Sequence, residues 1–157
     1  MGLVKMSMIS NERDKEDRTF DTTVIDFCKN LNRFEATTLS YLRLWYNGID
    51  GRKKAERDLT INLGYVEGYK ATRALGELRD VIIRKTRRRL VFQPIDDIEY
   101  TEEERWFIKL IANSINGLST DELFMKSLFL PQDVAPSVVV LANKIGIAIK
   151  SVLIKAD

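Results

Sequence analysis

The chain has 157 residues, of which 45% are hydrophobic and 31% are charged, and its net charge at pH 7 is +2. Both fractions are ordinary for a folded globular protein that buries its core without disulfides or metal. Histidine is absent and Cys28 is the one cysteine. These two facts exclude a Ser-His-Asp or Cys-His catalytic site, an imidazole-bound metal and an internal disulfide.

Residues 1–18 are mixed in charge and lack apolar periodicity, so we predict a disordered N-terminal arm there. One helical domain is then predicted over residues 19–157. Its first helix is capped by Asp21 and extends to Leu31, because the apolar residues between them recur at helical spacing.

The middle of the chain reads as three more helices. They are predicted over residues 35–46, over residues 52–63 and from Val66 onward, with glycine-containing turns between them. The last of these helices loses its periodicity near residues 84–92. The β-branched and aromatic residues in that segment leave room for one short strand, hairpin or wing.

Two capping boxes, in which a Ser or Thr is followed three residues later by Glu, predict helices that begin at Thr101 and Ser119. The second should reach Phe129. Pro136 suits the first turn of a final helix, where its missing N–H is not needed. The whole pattern predicts an all-α, compact bundle of about seven helices.

Charge is distributed unevenly along the chain. Residues 52–92 carry 12 basic and 5 acidic side chains, a net charge of +7, whereas residues 93–135 carry 3 basic and 9 acidic ones, a net charge of −6. The basic block ends in the sequence VIIRKTRRRLVF, Val81–Phe92. Such asymmetry bears on partners rather than on fold.

The basic block predicts binding to DNA. Two helices joined at Gly64 have the outline of a helix-turn-helix, although that motif usually turns the positions of Lys70 and Arg73 toward its core. Arginine suits phosphate oxygens and guanine edges. The leading prediction is therefore a cytoplasmic, non-enzymatic DNA-binding protein that acts in transcription control. The predicted nucleic-acid contacts are Arg52, Lys53, Lys54, Lys70, Arg73, Arg84, Lys85, Arg87, Arg88 and Arg89.

Two alternatives compete with DNA binding. A run of like charge is often only a solvated helix face, and this block could dock onto the acidic segment 93–104 of the same chain. The second functional candidate is a protein–protein adaptor whose basic block binds an acidic partner, with the apolar final helix joining the interface.

The final helix is hydrophobic nearly all round, which is typical of a helix at the centre of a core. Five of its apolar residues also follow the three-four spacing of a coiled coil, which predicts a possible homodimer interface. These residues are Val138, Leu141, Ile145, Ala148 and Val152.

The sequence predicts no cofactor, no metal site and no membrane span. The acidic residues between Asp96 and Glu104 do not follow the spacing of a calcium loop, and those at the start of a helix complement its dipole. No Gly-rich phosphate loop is present. Asn143, Lys144 and Lys150 interrupt the longest apolar region, which argues against a transmembrane helix.

Overall fold

The computed structural model describes residues 30–86, 90–125 and 130–156, and these residues form an all-α fold with no β-strand. The predicted N-terminal arm and most of the predicted first helix lie outside the described residues. The described elements are α1 (Arg33–Tyr46), α2 (Ile49–Lys85), α3 (Glu102–Ile115), α4 (Asp121–Met125), a short 3-10 helix (Gln132–Val134) and α5 (Ala135–Ala156).

The prediction of about seven helices is wrong for the described residues, which contain five α-helices. Two predicted helices on either side of Gly64 are arms of the single element α2. Gly64 adopts φ 88° and ψ 174°, and helical geometry resumes on both sides of it. A single residue therefore makes the turn, because only glycine adopts this backbone conformation without strain.

The two arms of α2, residues 49–63 and 65–85, fold back on each other. In a straight helix, Cα atoms eight residues apart would be about 12 Å apart. Here a Cβ atom built on Gly68 would lie 2.9 Å from the Cα atom of Thr60. The arms therefore form a tight α-hairpin whose backbones touch at Gly68.

The short hairpin or wing predicted near residues 84–92 is not observed in the described part of that segment. Arg84 and Lys85 complete α2, and the chain from Leu90 onward forms no strand. Leu90 and Phe92 are buried, and the ring of Phe92 stacks on that of Tyr46 at a centroid distance of 4.3 Å. Burial in the helical core thus explains the apolar residues that resembled a strand. The intervening Arg87–Arg89 lie outside the described residues.

Helix α5 packs against α2, α3 and α1. Four of the five residues predicted to form a dimer interface, Val138, Leu141, Ile145 and Val152, are buried within the chain's own core, and Ala148 is half-buried. These residues therefore pack against other helices of the same chain. An apolar stripe is buried equally well by its own chain or by a second copy, so its spacing is the same in both cases. Dimerisation stays a prediction, and it would have to use other residues.

Among the described residues, one helical stretch, Gln132–Lys155, is long and apolar enough to cross a membrane. The core helix of a soluble protein meets the same criterion, so the observation is weak. One side of α5 packs in the core, and Val140, Ile147 and Ile154 are exposed on its other surface.

A buried ion pair joins α1 to α3. The Nε of Arg43 donates to Glu104 Oε2 at 2.8 Å, and both side chains are fully buried. Arg43 also donates to the carbonyl oxygens of Asp97 at 2.8 Å and Glu99 at 2.7 Å. Glu104 further completes the capping box with Thr101, which confirms the predicted start of α3. The acidic segment is thereby attached to α1.

Candidate functional site

The second arm of α2 presents a charged outer crest. Lys70, Arg73 and Arg84 lie on one face of the helix, with Glu77 and Asp80 between them, and all five are exposed. The core face of this arm is instead formed by small and aliphatic residues, among them Gly68, Ala71, Ala74, Leu75 and Leu78. Lys70 and Arg73 therefore point away from the core, unlike the corresponding positions of a helix-turn-helix.

Two cations of the crest bind acidic residues on their own helix. Lys70 Nζ lies 3.5 Å from Glu67 Oε2, and Arg73 Nε lies 3.1 Å from Glu77 Oε2. The hydrogen bond to Glu77, followed by one to Tyr69, raises the pKa of Arg73. Exposed pairs of this kind are weak and open readily when a stronger anion approaches.

On one side of the crest lies a shallow depression of about 430 Å³ between α1 and the two arms of α2. It brings together three arginines: Arg52 from the first arm, and Arg73 and Arg79 from the second. Arg52 and Arg79 form no ion pair with any described residue. Glu77 and Asp80 also border the depression, and Glu77 is the partner of Arg73.

Trp45 from α1 also lines the depression, beside Gly76. Its ring atom Cζ2 would be 3.7 Å from a Cβ atom on Gly76. Two buried donors here, Trp45 Nε1 and Arg79 Nε, have no hydrogen-bond partner in the described structure. A buried donor without an acceptor costs about 1–3 kcal/mol.

On the other side of the crest, a groove follows the line where α2 and α5 pack in antiparallel directions. It consists of a cavity of about 540 Å³ and a second of about 620 Å³, which share Glu77 and Lys144. The first lies beside residues 63–77 of α2 and the second beside residues 77–84. The lining residues of α5 run from Pro136 to Lys155, which at 1.5 Å per residue corresponds to about 30 Å along that helix.

The predicted DNA contacts are thus divided among several places. Arg52 and Arg73 meet in the depression, while Lys70 and Arg84 line the groove on the far side of the crest. Lys53, Lys54 and Lys85 line neither the depression nor the groove. Lys53 and Lys85 are exposed, and Lys54 is half-buried. Arg87, Arg88 and Arg89 lie outside the described residues.

Sequence reasoning missed Trp45 as a site residue, because its role depends on the packing of α1 against α2. It also missed Lys144 and Lys155, which line the groove with Ala148 and Ser151. The recurrence of these four residues at intervals of three to four marks one face of α5. That spacing is the signal in the sequence that points to this face of α5.

No family model matches this chain, and the comparisons with curated proteins and with solved structures found no match either. Within residues 30–86, 90–125 and 130–156, no group of three or more Cys, Asp or Glu residues is arranged to hold a metal ion. Function is therefore inferred from the surfaces of the chain itself.

Proposed function

We propose that this chain is a non-enzymatic, cytoplasmic DNA-binding protein that acts in transcription control and contacts DNA through the basic region 52–92. The supporting observation is the convergence of Arg52, Arg73 and Arg79 on one depression. The guanidinium groups of arginine donate charge-assisted hydrogen bonds to the oxygens of DNA phosphates.

The hairpin of α2 gives this proposal its geometry. Arg52 and Arg73 are 21 residues apart in the sequence, yet the fold at Gly64 places them around the same depression. In the proposed complex, the arginines of the depression bind one stretch of phosphates, and Lys70 and Arg73 face the DNA groove from the crest. The cations from Arg84 to Arg89 bind further phosphates.

The test is fluorescence anisotropy with a labelled random-sequence duplex over a series of salt concentrations. Replacing Arg87, Arg88 and Arg89 with alanine should weaken binding and reduce the salt slope by about 0.9 for each phosphate that the variant no longer neutralises. The matched control replaces Arg105, Lys109 and Lys150, three exposed cations on α3 and α5. Unchanged binding in the first variant, or equal weakening in both, would contradict the proposal.

A separate variant tests the depression. Arg52→Gln removes one charge from it and leaves Lys70, Arg84 and Lys85 in place. We expect weaker duplex binding and a salt slope smaller by about 0.9, the value for one phosphate. Lys109→Gln, which removes an exposed cation on α3 outside the basic region, is the control that should change both quantities less.

A protein–protein adaptor is the second candidate, and the groove between α2 and α5 favours it. The charged DNA backbone gains no favourable contact from an apolar channel, whereas protein partners commonly bury apolar side chains in one. Anisotropy separates the two candidates, since an adaptor should show almost no duplex binding at low salt.

A further inference from the structure

We infer that the groove between α2 and α5 binds one α-helix of a protein partner, an amphipathic helix with acidic residues beside its apolar face. This inference rests on the adaptor function proposed above and does not depend on DNA binding. It follows from the shape of the groove, the chemistry of its floor and the charges on its rim.

The floor of the groove is lined by apolar residues of different size. Ala71, Ala74 and Ala148 line the first cavity together with Leu63 and Ile147, and Val140 lines the second. Ile147 and Val140 remain 55% and 54% exposed. Small residues between larger ones on two neighbouring helices leave space into which the side-chain ridge of a third helix can pack.

The length of the groove favours a helix over a short peptide. A channel of about 30 Å corresponds to roughly 20 residues of α-helix. Helix-in-groove recognition uses apolar anchors at positions i, i+3, i+4 and i+7, and the two adjoining cavities together provide room for several such anchors.

The rim charges specify the sign of the partner. Arg84, Lys144 and Lys155 line the groove and form no ion pair with any residue in the described part of the chain. The rim also carries Lys70 and Arg73, and its acidic residues are Glu67, Glu77 and Asp80. Five cations against three acids give the rim a net charge of +2, which acidic flanks on a partner complement.

The apolar floor distinguishes this ligand from nucleic acid. A phosphate backbone placed over Ile147 and Ala148 would lose hydration without gaining hydrogen bonds from the floor. An acidic amphipathic helix instead buries its apolar face there and keeps its carboxylates at the basic rim.

The test uses a designed peptide of about 18 residues, long enough to form most of a helix in the groove. Leu residues occupy one face and Glu residues flank it. A twin peptide carries Lys in place of every Glu. Each is titrated into the ¹⁵N-labelled full-length protein while amide and side-chain resonances are followed. We expect saturable binding of the acidic peptide alone, with shifts concentrated in residues 63–84 of α2 and 136–155 of α5.

Two variants establish the site. Ile147→Lys places a charge on the floor. The double change Lys144→Glu and Lys155→Glu reverses two charges on the rim. Each variant should weaken binding of the acidic peptide roughly tenfold. Leu118→Lys and the pair Lys109→Glu with Lys150→Glu are the matched controls, because these residues are exposed and lie outside the groove. Circular dichroism establishes that every variant is folded.

Several outcomes would overturn the inference. These are the absence of saturable binding at millimolar peptide, equal binding of the basic twin, shifts confined to other surfaces, or equal weakening by the control variants. Flotation of the protein with anionic lipid vesicles, without peptide binding, would assign the exposed apolar residues of α5 to a lipid surface instead. A failure to bind duplex DNA does not affect this inference, because the peptide titration contains no DNA. The groove variants also leave the residues that line the depression unchanged.

Discussion

Removal of Glu104 should be among the most damaging single changes to this fold. Its carboxylate accepts hydrogen bonds from Arg43 Nε at 2.8 Å and Nη2 at 3.2 Å, and from the backbone N–H groups of Gln93 at 2.9 Å and Thr101 at 2.8 Å. Glu104→Ala leaves the guanidinium of Arg43 buried without its counter-charge. Loss of one partner from a buried pair typically costs about 3–5 kcal/mol.

That cost is large against the total stability of a domain, which is about 5–15 kcal/mol. Urea unfolding followed by circular dichroism measures it. With an m-value of about 2 kcal/mol/M, a loss of about 4 kcal/mol lowers the midpoint by about 2 M. Glu102→Ala is the matched control, because Glu102 lies in the same helical turn but is exposed. Its removal should cost about 0.3–1 kcal/mol through the helix dipole.

A double-mutant cycle isolates the pair itself. Arg43→Met with Glu104→Leu should cost less than the sum of the two single changes, because the double variant leaves no unpaired charge in the core. Additive costs, or a Glu104→Ala variant as stable as Glu102→Ala, would refute this account. Loss of the Arg43–Glu104 pair should also loosen residues 91–101, because Arg43 donates hydrogen bonds to the carbonyl oxygens of Asp97 and Glu99.

Two further predictions test the hairpin and the depression. Gly68→Ala should destabilise the protein by about 1–3 kcal/mol, because its Cβ would meet backbone atoms of Thr60 at 2.9 Å. Gly76→Ala should stabilise α2 by up to about 1 kcal/mol, because its Cβ atom would lie at an ordinary contact distance of 3.7 Å from the Trp45 ring. Urea unfolding of both variants measures their free energies of unfolding. A stabilising effect of Gly68→Ala would contradict the close packing of the arms. In a titration with duplex DNA, the indole N–H resonance of Trp45 should shift while that of Trp106 stays, since Trp106 Nε1 already donates to the carbonyl of Leu123 at 2.9 Å. Movement of neither resonance during confirmed binding would remove the depression from the DNA contact.

The acidic segment bears on the proposed function as well. The sequence left open whether residues 93–104 neutralise the basic block. In the structure, Glu104 forms an ion pair with Arg43 of α1. Arg43 also donates hydrogen bonds to the carbonyl oxygens of Asp97 and Glu99, and these bonds hold the acidic segment against α1. Arg43 lies outside the basic block, so these contacts use none of the cations of residues 52–92.

The helical class and much of the local structure could be predicted from the sequence. Thr101 and Glu104 marked the start of α3, Pro136 lies in the first turn of α5, and Gly64 marked the turn within α2. These features are set by interactions within a few residues: a side chain reaching a nearby N–H, a missing N–H, or a positive φ.

Features that depend on contacts between distant residues could not be predicted in this way. The spacing of Val138, Leu141 and Ile145 is the same for a dimer seam and for a core, and only the packing of α2 and α3 on α5 showed that they are core. The meeting of Arg52 with Arg73, and the pairing of Arg43 with Glu104, likewise follow from how helices fold against one another. Periodicity specifies which face of a helix is apolar, but not what covers it.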